Sequence, residues 1–545
     1  MGHFKWHRPI AAAGLFVVIT LPFVGQAFHV DDPNFLALAR HARPNPLKLY
    51  DFTINWGRID ERAFDILANP PFGPWYAALL LPIAQDREWI YHVGFWPFLV
   101  LALFGAYRLG RRFAPEQRNW TVIWTAVSPA VVLASHTIMP DVPLLAFYAS
   151  GVALAIEGLD TGKPMLACWG GLLAGLSALF RYSGMTAIPL LLLYVVLYRI
   201  RPRIAVWTLA ASAAPILIWT WLSSHVYGRI HWLAMAGFEG QTLGLTFIGH
   251  KVIYQVAALG LAIGTAGAIA AVLHISLPIG ARLGGLVGGI AAVALSLQAG
   301  LKGSTTFLLV TGLVAGGAII GHAVFVSGTA VRNMVWNSQG FNATDDLFLA
   351  AWLLGMALFN LWLLFVSVRY LLPAQIPTVL LLQRLAAAER RTSRWRNAVA
   401  AVATLTLSLT VAAADQQFAE SYRSYVASLP PPAAQRWFTG HWGLQHYLEK
   451  AGAHSLSSED RRSPRPGDEI VVPTYAWPQS PPRGLHATLR SSTVLPGSIP
   501  LRTFTAEGRA CFYSNILAPG PTMVWLPFGF SAGPLEVLTR WEVLP

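Results

Sequence analysis

The chain has 545 residues, 54% of them hydrophobic and only 12% charged, where an ordinary soluble protein carries roughly 25% charged residues. That deficit, spread over many separate apolar runs, excludes a single soluble globular domain and indicates a polytopic membrane protein. The net charge of +13 is then no sign of nucleic acid, because basic residues of membrane proteins gather in cytoplasmic loops. Two cysteines, Cys168 and Cys511, supply neither a disulfide framework nor a zinc site.

The chain opens with "MGHFKWHRPIAAAGLFVVITLPFVGQAF", a basic start and an apolar run with no obvious small-residue cleavage site. It reads as a retained first helix. Runs long enough to cross about 30 Å of hydrocarbon fall near 9–28, 89–107, 119–135, 140–157, 164–180, 184–198, 204–225, 252–275, 282–300, 304–326, 346–368, 371–388 and 397–414. That predicts about thirteen spans, of which the three between 252 and 326 are rich in Gly and Ala. With Lys5 and Arg8 inside, the predicted cytoplasmic loops hold Arg108, Arg111, Arg112 and Arg118, then Arg199, Arg201 and Arg203, then "QRLAAAERRTSRWR" at 383–396. This loading obeys the positive-inside rule and puts residues 415–545 outside.

The tail differs in composition from the rest. Pro-rich stretches ("SLPPPAAQRW", "WPQSPPRG") alternate with β-like runs ("GDEIVVPTYAW", "TMVWLPFGF") and an amphipathic helix candidate, "GHWGLQHYLEKAG". The expectation is an all-α membrane domain over 1–414 and a small α+β extracytoplasmic domain over 415–545.

The long first outer loop, 29–88, contains Asp31, Asp32, Arg58, Asp60, Glu61, Arg62 and "LANPPFGPWYAALLLP", which reads as helices lying in the membrane interface. Later outer loops contribute "SHTIMPDVPL" with Asp141, "LFRYSGMTAIP" with Arg181, and "VSVRYLLPAQIP" with Arg369 and Tyr370. Each has a plain alternative: Asp31, Asp32 and Asp141 as helix caps, and the arginines as snorkelling interface anchors. Together on one face they suit group transfer from a lipid phosphate. A carboxylate deprotonates a hydroxyl acceptor, and arginines hold a phosphate and offset its charge as it leaves.

In this order the stretches resemble the polyprenyl-phosphate-sugar glycosyltransferases of the GT-C fold. Most similar are bacterial relatives of the protein O-mannosyltransferases and of the aminoarabinose transferase that modifies lipid A. That family's Asp-Glu pair after the first span is similar to Asp31-Asp32, followed by Phe35 where an aromatic is usual. Its Lys-Pro-Pro-Leu-x-x-Trp stretch looks like Asn69 through Trp75, and its Asp-Met-Pro motif is similar to Asp141-Val142-Pro143. Its Gly-Leu-x-x-Leu-x-Lys-Gly segment is similar to Gly175 through Gly184, with Arg181 near the lysine's place. A late Tyr-x-x-Pro-x-x-Pro stretch is similar to Tyr370, Pro373 and Pro377.

The resemblance implies an inverting glycosyltransferase in the bacterial inner membrane, with its N-terminus cytoplasmic and its C-terminal domain periplasmic. The donor would be a polyprenyl-phosphate sugar and the acceptor a glycan, lipid or protein. By resemblance Asp31 is the base, or orients the acceptor, with Asp32 its partner. Arg181, Arg369 and Tyr370 hold the lipid phosphate, and Asn69, Trp75 and Asp141 line the substrate site. The acidic pair is also a candidate ligand set for a divalent cation. Two positions depart from the pattern. Asn69 replaces a basic residue, so that one phosphate contact is missing or is supplied elsewhere, by Arg58 or Arg62, and Asp32 replaces Glu. The rival classes are a secondary transporter, which normally keeps ionisable residues at mid-membrane, and a non-catalytic scaffold, in which the acidic pair would be replaceable.

Overall fold

A computed structural model describes residues 7–545 apart from 57–58, 240–244, 274–276, 302, 336–340, 389–392, 458–463, 478, 480–484 and 518–521. Helices dominate as far as Ser428, and each apolar run of the sequence reading is mainly helical, though the helix ends at Phe23 in run 9–28 and at Trp362 in run 346–368. By length and apolarity seven of the described helices can cross a membrane: Glu88–Phe113, Asp141–Asp160, Pro202–Tyr227, Ile279–Gln298, Gly303–Asn333, Ala343–Trp362 and Arg394–Ser428. An eighth span forms if Phe247–Ile263 and Thr265–Val272, bent by 76° at Gly264, count as one. Other apolar helices are shorter, among them Gly14–Phe23, Phe72–Ala84, Pro164–Leu179 and Tyr182–Leu197. The chain is a multi-pass helical membrane protein, and the count of thirteen stays an expectation.

Residue choice explains the packing. Ile279–Gln298 and the helix Gly303–Val335 lie so close that a Cβ on Gly284 would strike the carbonyl oxygen of Gly317. Small residues are what allow helix backbones to approach in a medium that offers no hydrophobic drive between them. The most enclosed span is Asp141–Asp160, 83% buried. It packs against Glu88–Phe113 on one side and Pro164–Leu176 on another, and so forms the centre of the bundle. Its 20 residues rise about 30 Å, one membrane thickness, so its two ends are two separate environments.

At the far end from the site described below, arginines cluster with acids. Arg112 meets Asp160 (2.7 Å) and Asp345 (3.2 Å), and Arg384 meets Asp346 (2.5 Å) and Asp345 (3.5 Å). Tyr194 donates to Asp160 at 2.5 Å.

Arg394–Ser428 continues as one helix past residue 414 into the tail. There a five-stranded sheet runs in the order His454–Ser455, Arg436–Phe438, Glu469–Pro473, Glu536–Val543, Ala487–Leu495. Arg436–Phe438 is parallel to both its neighbours and the other pairings are antiparallel, with Leu538 opposite Pro473 and Thr493. The helix expected in "GHWGLQHYLEKAG" is Trp442–Lys450, and the strand in "GDEIVVPTYAW" is Glu469–Pro473. "TMVWLPFGF" yields two short strands, Thr522–Met523 and Gly529–Phe530, in separate two-stranded pairs.

Candidate active site

The loop after the first helix turns sharply at Val30, whose φ of 52° places a β-branched residue in the left-handed region. Such a conformation costs about 1–3 kcal/mol and persists only where the surroundings enforce it. Around this turn His29, Asp31 and Asp32 take separate partners. Asp31 occupies the N-cap position of the helix Asp32–Ala42. It caps with its main chain alone, the carbonyl accepting from Asn34 N–H (2.9 Å) and Phe35 N–H (3.3 Å). Its carboxylate makes no cap hydrogen bond and pairs instead with Arg369, Nη2 to Oδ2 at 3.1 Å.

Asp32 is fully buried. Its two oxygens accept from backbone N–H groups, Oδ2 from His29 (3.2 Å) and Oδ1 from Ile138 (3.0 Å). It thereby ties the first loop to the loop that delivers Asp141. Burial pushes its pKa up to about 7, against the pull of His29 and the two N–H donors.

Asp141 begins the central span and is fully buried, so it is not a mere helix cap. One oxygen takes Arg181 Nη1 at 2.5 Å and the other Arg369 Nη1 at 3.4 Å. Arg181 sits on an extended residue between two 3-10 turns, Ser177–Leu179 and Tyr182–Thr186. Arg369 starts from a 3-10 turn, Val368–Ala374, capped by the Ser367 hydroxyl, and its guanidinium also touches the Met139 sulfur. Burial works against the charge of Arg369, but Asp141 and then Asp31 more than restore it, and its pKa lies above the usual guanidinium value. Tyr370 lies beneath both arginines, 4.3 Å from the Arg181 guanidinium carbon and 5.9 Å from that of Arg369. Of the three carboxylates only Asp31 is accessible, its side chain 25% exposed against 0% for Asp141 and for Asp32.

Arg181 and Tyr370 line a mainly apolar cleft of about 200 Å³ together with Ala68, Tyr182, Ser183, Trp232, Met235 and Trp362. An aromatic cluster builds its wall. Tyr182 OH meets His231 Nδ1 at 2.5 Å, Trp219 Nε1 donates to Tyr182 OH at 2.9 Å, and Tyr50 stacks on His231. Tyr50 OH in turn donates to the Asn69 carbonyl at 2.5 Å, fixing the start of the Pro-Pro stretch beside Ala68.

Asp31, Asp141, Arg181, Arg369 and Tyr370 are thus brought together, with Asp32 directly behind. Asn69 is half-buried at the edge. Trp75 lies elsewhere, donating to the Pro46 carbonyl (2.7 Å) in a groove with Phe72, Phe98 and Phe180. Arg62 is exposed in a hairpin opposite Thr53. Arg58 is outside the described residues. A divalent cation does not fit the acidic pair, because both Asp32 oxygens are occupied by backbone donors and Asp31 is held by Arg369. No group of three or more His, Cys, Asp or Glu that could hold a metal occurs among the described residues.

Three participants were not foreseen in the sequence. His29, Asp415 and Tyr513 form a buried triad, with Tyr513 OH donating to Asp415 at 2.6 Å and His29 Nε2 3.1 Å from the same carboxylate oxygen. They are dispersed over 484 positions, and only the fold unites them. Burial lowers the His29 pKa, but contact with Asp415 outweighs it and the net shift is upward.

The comparisons with known proteins bear on the stretch that carries Asn69, Trp75, Asp141 and Arg181. Residues 68–223 match the family model of dolichyl-phosphate-mannose-protein mannosyltransferase. The resemblance drawn from the motifs is borne out over this matched segment. No curated protein matches the chain in sequence. Among solved structures the chain is similar to ArnT from Cupriavidus metallidurans bound to undecaprenyl phosphate, at 14% identity and a TM-score of 0.41, covering 86% of this chain and 93% of that one. It is also similar to the Archaeoglobus fulgidus oligosaccharyltransferase in complex with Zn and sulfate, at 15% identity and a TM-score of 0.45, covering 82% of this chain and 62% of that one.

Proposed function

We propose that the protein transfers a sugar from a polyprenyl-phosphate donor to a hydroxyl acceptor at the tail-bearing, periplasmic face of the bacterial inner membrane. The observation that carries this reading is the Asp31–Arg369–Asp141–Arg181 chain, whose last member, Arg181, lines a mainly apolar cleft beside Tyr370. The mannosyltransferase match over residues 68–223 supports the donor class, and the arginine-rich far end of the bundle supports the orientation.

In this reaction the lipid tail lies along the cleft and its phosphate meets Arg181 and Arg369 over Tyr370. Arginine suits a phosphate because its planar fork offers several donors at once. Asp31, the accessible carboxylate, takes the proton of the acceptor hydroxyl. The acceptor oxygen bonds to the anomeric carbon as the bond to the phosphate oxygen breaks, so the configuration inverts. The phosphate leaves with the electron pair, and the arginines stabilise the charge it gains. Asp32 does not reach the acceptor and holds the loop that aims Asp31. Trp75 and the exposed Arg62 take no part in this geometry.

Native mass spectrometry of the detergent-purified protein tests the reading, with undecaprenyl phosphate added if none co-purifies. Wild type and Asp31→Asn retain the lipid and Arg181→Gln releases it. If wild type retains no polyprenyl species even after addition, the transferase reading fails.

A further inference from the structure

The tail reaches into the cluster. Its segment Cys511–Asn515 is hydrogen-bonded to the stretch that leads into Arg369. Val366 N–H donates to Asn515 Oδ1 (2.7 Å) and Asn515 N–H to the Val366 carbonyl (2.8 Å). The Ser367 hydroxyl and Val368 N–H both donate to the Phe512 carbonyl, at 3.2 and 3.3 Å. The Ser367 oxygen accepts in turn from Arg369 N–H (3.3 Å) and Nε (3.4 Å). Tyr254 OH locks the same segment from the bundle side, donating to the Cys511 carbonyl at 2.7 Å.

Tyr513, in the middle of this segment, is 6% exposed and has two separate attachments. Its ring stands 5.1 Å from the Arg369 guanidinium carbon. Its hydroxyl lies 2.6 Å from Asp415 and 3.0 Å from His29 Nε2. His29 belongs to the other half of the site. Its backbone N–H holds Asp32, and Asp31 follows two residues later. One side chain of the tail therefore bridges the phosphate-holding arginine and the loop that carries the base.

We propose that Tyr513 is a positioning residue of the transferase site, holding Arg369 by its ring and the His29–Asp32 turn by its hydroxyl, so that the C-terminal domain is part of the catalytic apparatus. This rests on the glycosyl-transfer reading. A stacked ring orients a guanidinium without consuming its hydrogen-bond donors, so Arg369 remains able to hold Asp31, Asp141 and the leaving phosphate. The hydroxyl, buried among an acid and an imidazole, is held firmly because a lost partner there would leave a polar group unsatisfied.

The test uses the full-length protein with Tyr513→Phe, Tyr513→Leu and, as a control in the tail, Arg490→Gln, whose exposed side chain pairs with Glu542 on the outer strands. Tyr513→Phe keeps the ring and lowers kcat about tenfold, roughly one hydrogen bond in scale, with the donor KM within about twofold of wild type. Tyr513→Leu loses both attachments and lowers kcat about a hundredfold, the scale of a misplaced catalytic group. Arg490→Gln turns over like wild type. Normal kcat per folded molecule in both Tyr513 variants would overturn the proposal, including the case where less protein folds.

Hydrogen exchange separates this from failure of the reading beneath it. If wild type transfers no sugar, the transferase reading falls. The bridge itself still predicts faster exchange at amides 28–32 in Tyr513→Phe, and at both 28–32 and 366–370 in Tyr513→Leu. Unchanged exchange at 28–32 in both variants would refute it.

Discussion

Replacing Asp31 by Asn removes a negative charge and a proton acceptor but almost no volume. The amide oxygen can still accept from Arg369, which lies 3.1 Å away, and Arg369 keeps Asp141 as its buried counter-charge. The side chain is 25% exposed, so little desolvation is at stake, and the expected loss of stability is about 1 kcal/mol or less. General-base catalysis is worth about 10²- to 10⁴-fold, or roughly 3–5 kcal/mol of barrier at 1.36 kcal/mol per decade. Asp31→Asn should therefore cut kcat by two to four decades while the donor KM and the thermal midpoint stay near wild type. The assay is transfer from a radiolabelled polyprenyl-phosphate sugar, with kcat and KM resolved and thermal unfolding followed on the same preparations. Asp31→Glu, which keeps the base but shifts it by one methylene, should recover part of the loss. Turnover within about threefold of wild type, below any general-base contribution, would show that Asp31 is not the base.

Asp141→Asn leaves two guanidinium groups facing each other without the carboxylate between them. As both attachments are buried, it should destabilise the protein by about 3–5 kcal/mol, seen as a large fall in thermal midpoint and in folded yield; a fall like that of Asp31→Asn would contradict the assignment. Arg112→Gln removes the guanidinium shared by Asp160 and the buried Asp345 at the far end of the bundle, leaving Asp160 with Tyr194, and Asp345 with the longer Arg384 contact and Tyr198. It should cost a similar about 3 kcal/mol yet leave kcat per folded molecule unchanged, because about one membrane thickness separates it from the site. The His29–Asp415 pair gives stability a pH dependence. Contact with Asp415 raises the folded pKa of His29 above its ordinary 6.5, so its stabilisation is complete below pH 6.5 and lost as pH climbs through the raised value. The corresponding change for Asp32 ends near pH 7. Thermal midpoints should then go on falling above pH 7 in wild type and stay flat there in His29→Gln, and equal slopes would refute the pairing.

The membrane domain was legible in the sequence because long apolar runs and arginine-loaded loops are local signals, and the described part of each run is mainly helical. The gathering of Asp31, Asp141, Arg181 and Arg369 could be anticipated from sidedness alone, since each closes or opens an apolar run on the same face. Other features lay beyond that reach. Nothing local distinguishes Asp31 from Asp32, and the left-handed Val30 between them and His29 decides which carboxylate is buried. Trp75 follows the Pro-Pro stretch closely in sequence, but the helix Phe72–Ala84 carries it toward a different groove. The strand Ala487–Leu495 has a largely polar sequence and an exposed face, so it lacks the clean alternation that marks a half-buried strand. Tyr513 had no signal of its own, because its role depends on a loop nearly 150 residues earlier.

The two charged clusters at the ends of Asp141–Asp160 use the same residue types and differ in how completely they are paired. At the far end Arg112 is shared between Asp160 and Asp345, Arg384 between Asp345, Asp346 and the Phe113 carbonyl, and Tyr194 and Tyr198 fill in on the acids. Such saturation is what a structural network requires, since each unmet charge in a low-dielectric setting is penalised. At the near end the pairing stops short. Arg181 is held by Asp141 at one nitrogen and borders an apolar cleft with the rest, and Asp31 keeps part of its carboxylate accessible. Charge left incompletely met beside a cavity is the pattern of a site awaiting a ligand. Its position also separates the readings that composition left open. A transporter places its ion-handling groups where broken helices meet at mid-membrane, whereas Asp141 here is the first residue of its span and Asp31 and Arg369 lie on turns outside the membrane-crossing helices. A site at the boundary can take one substrate from lipid and one from water.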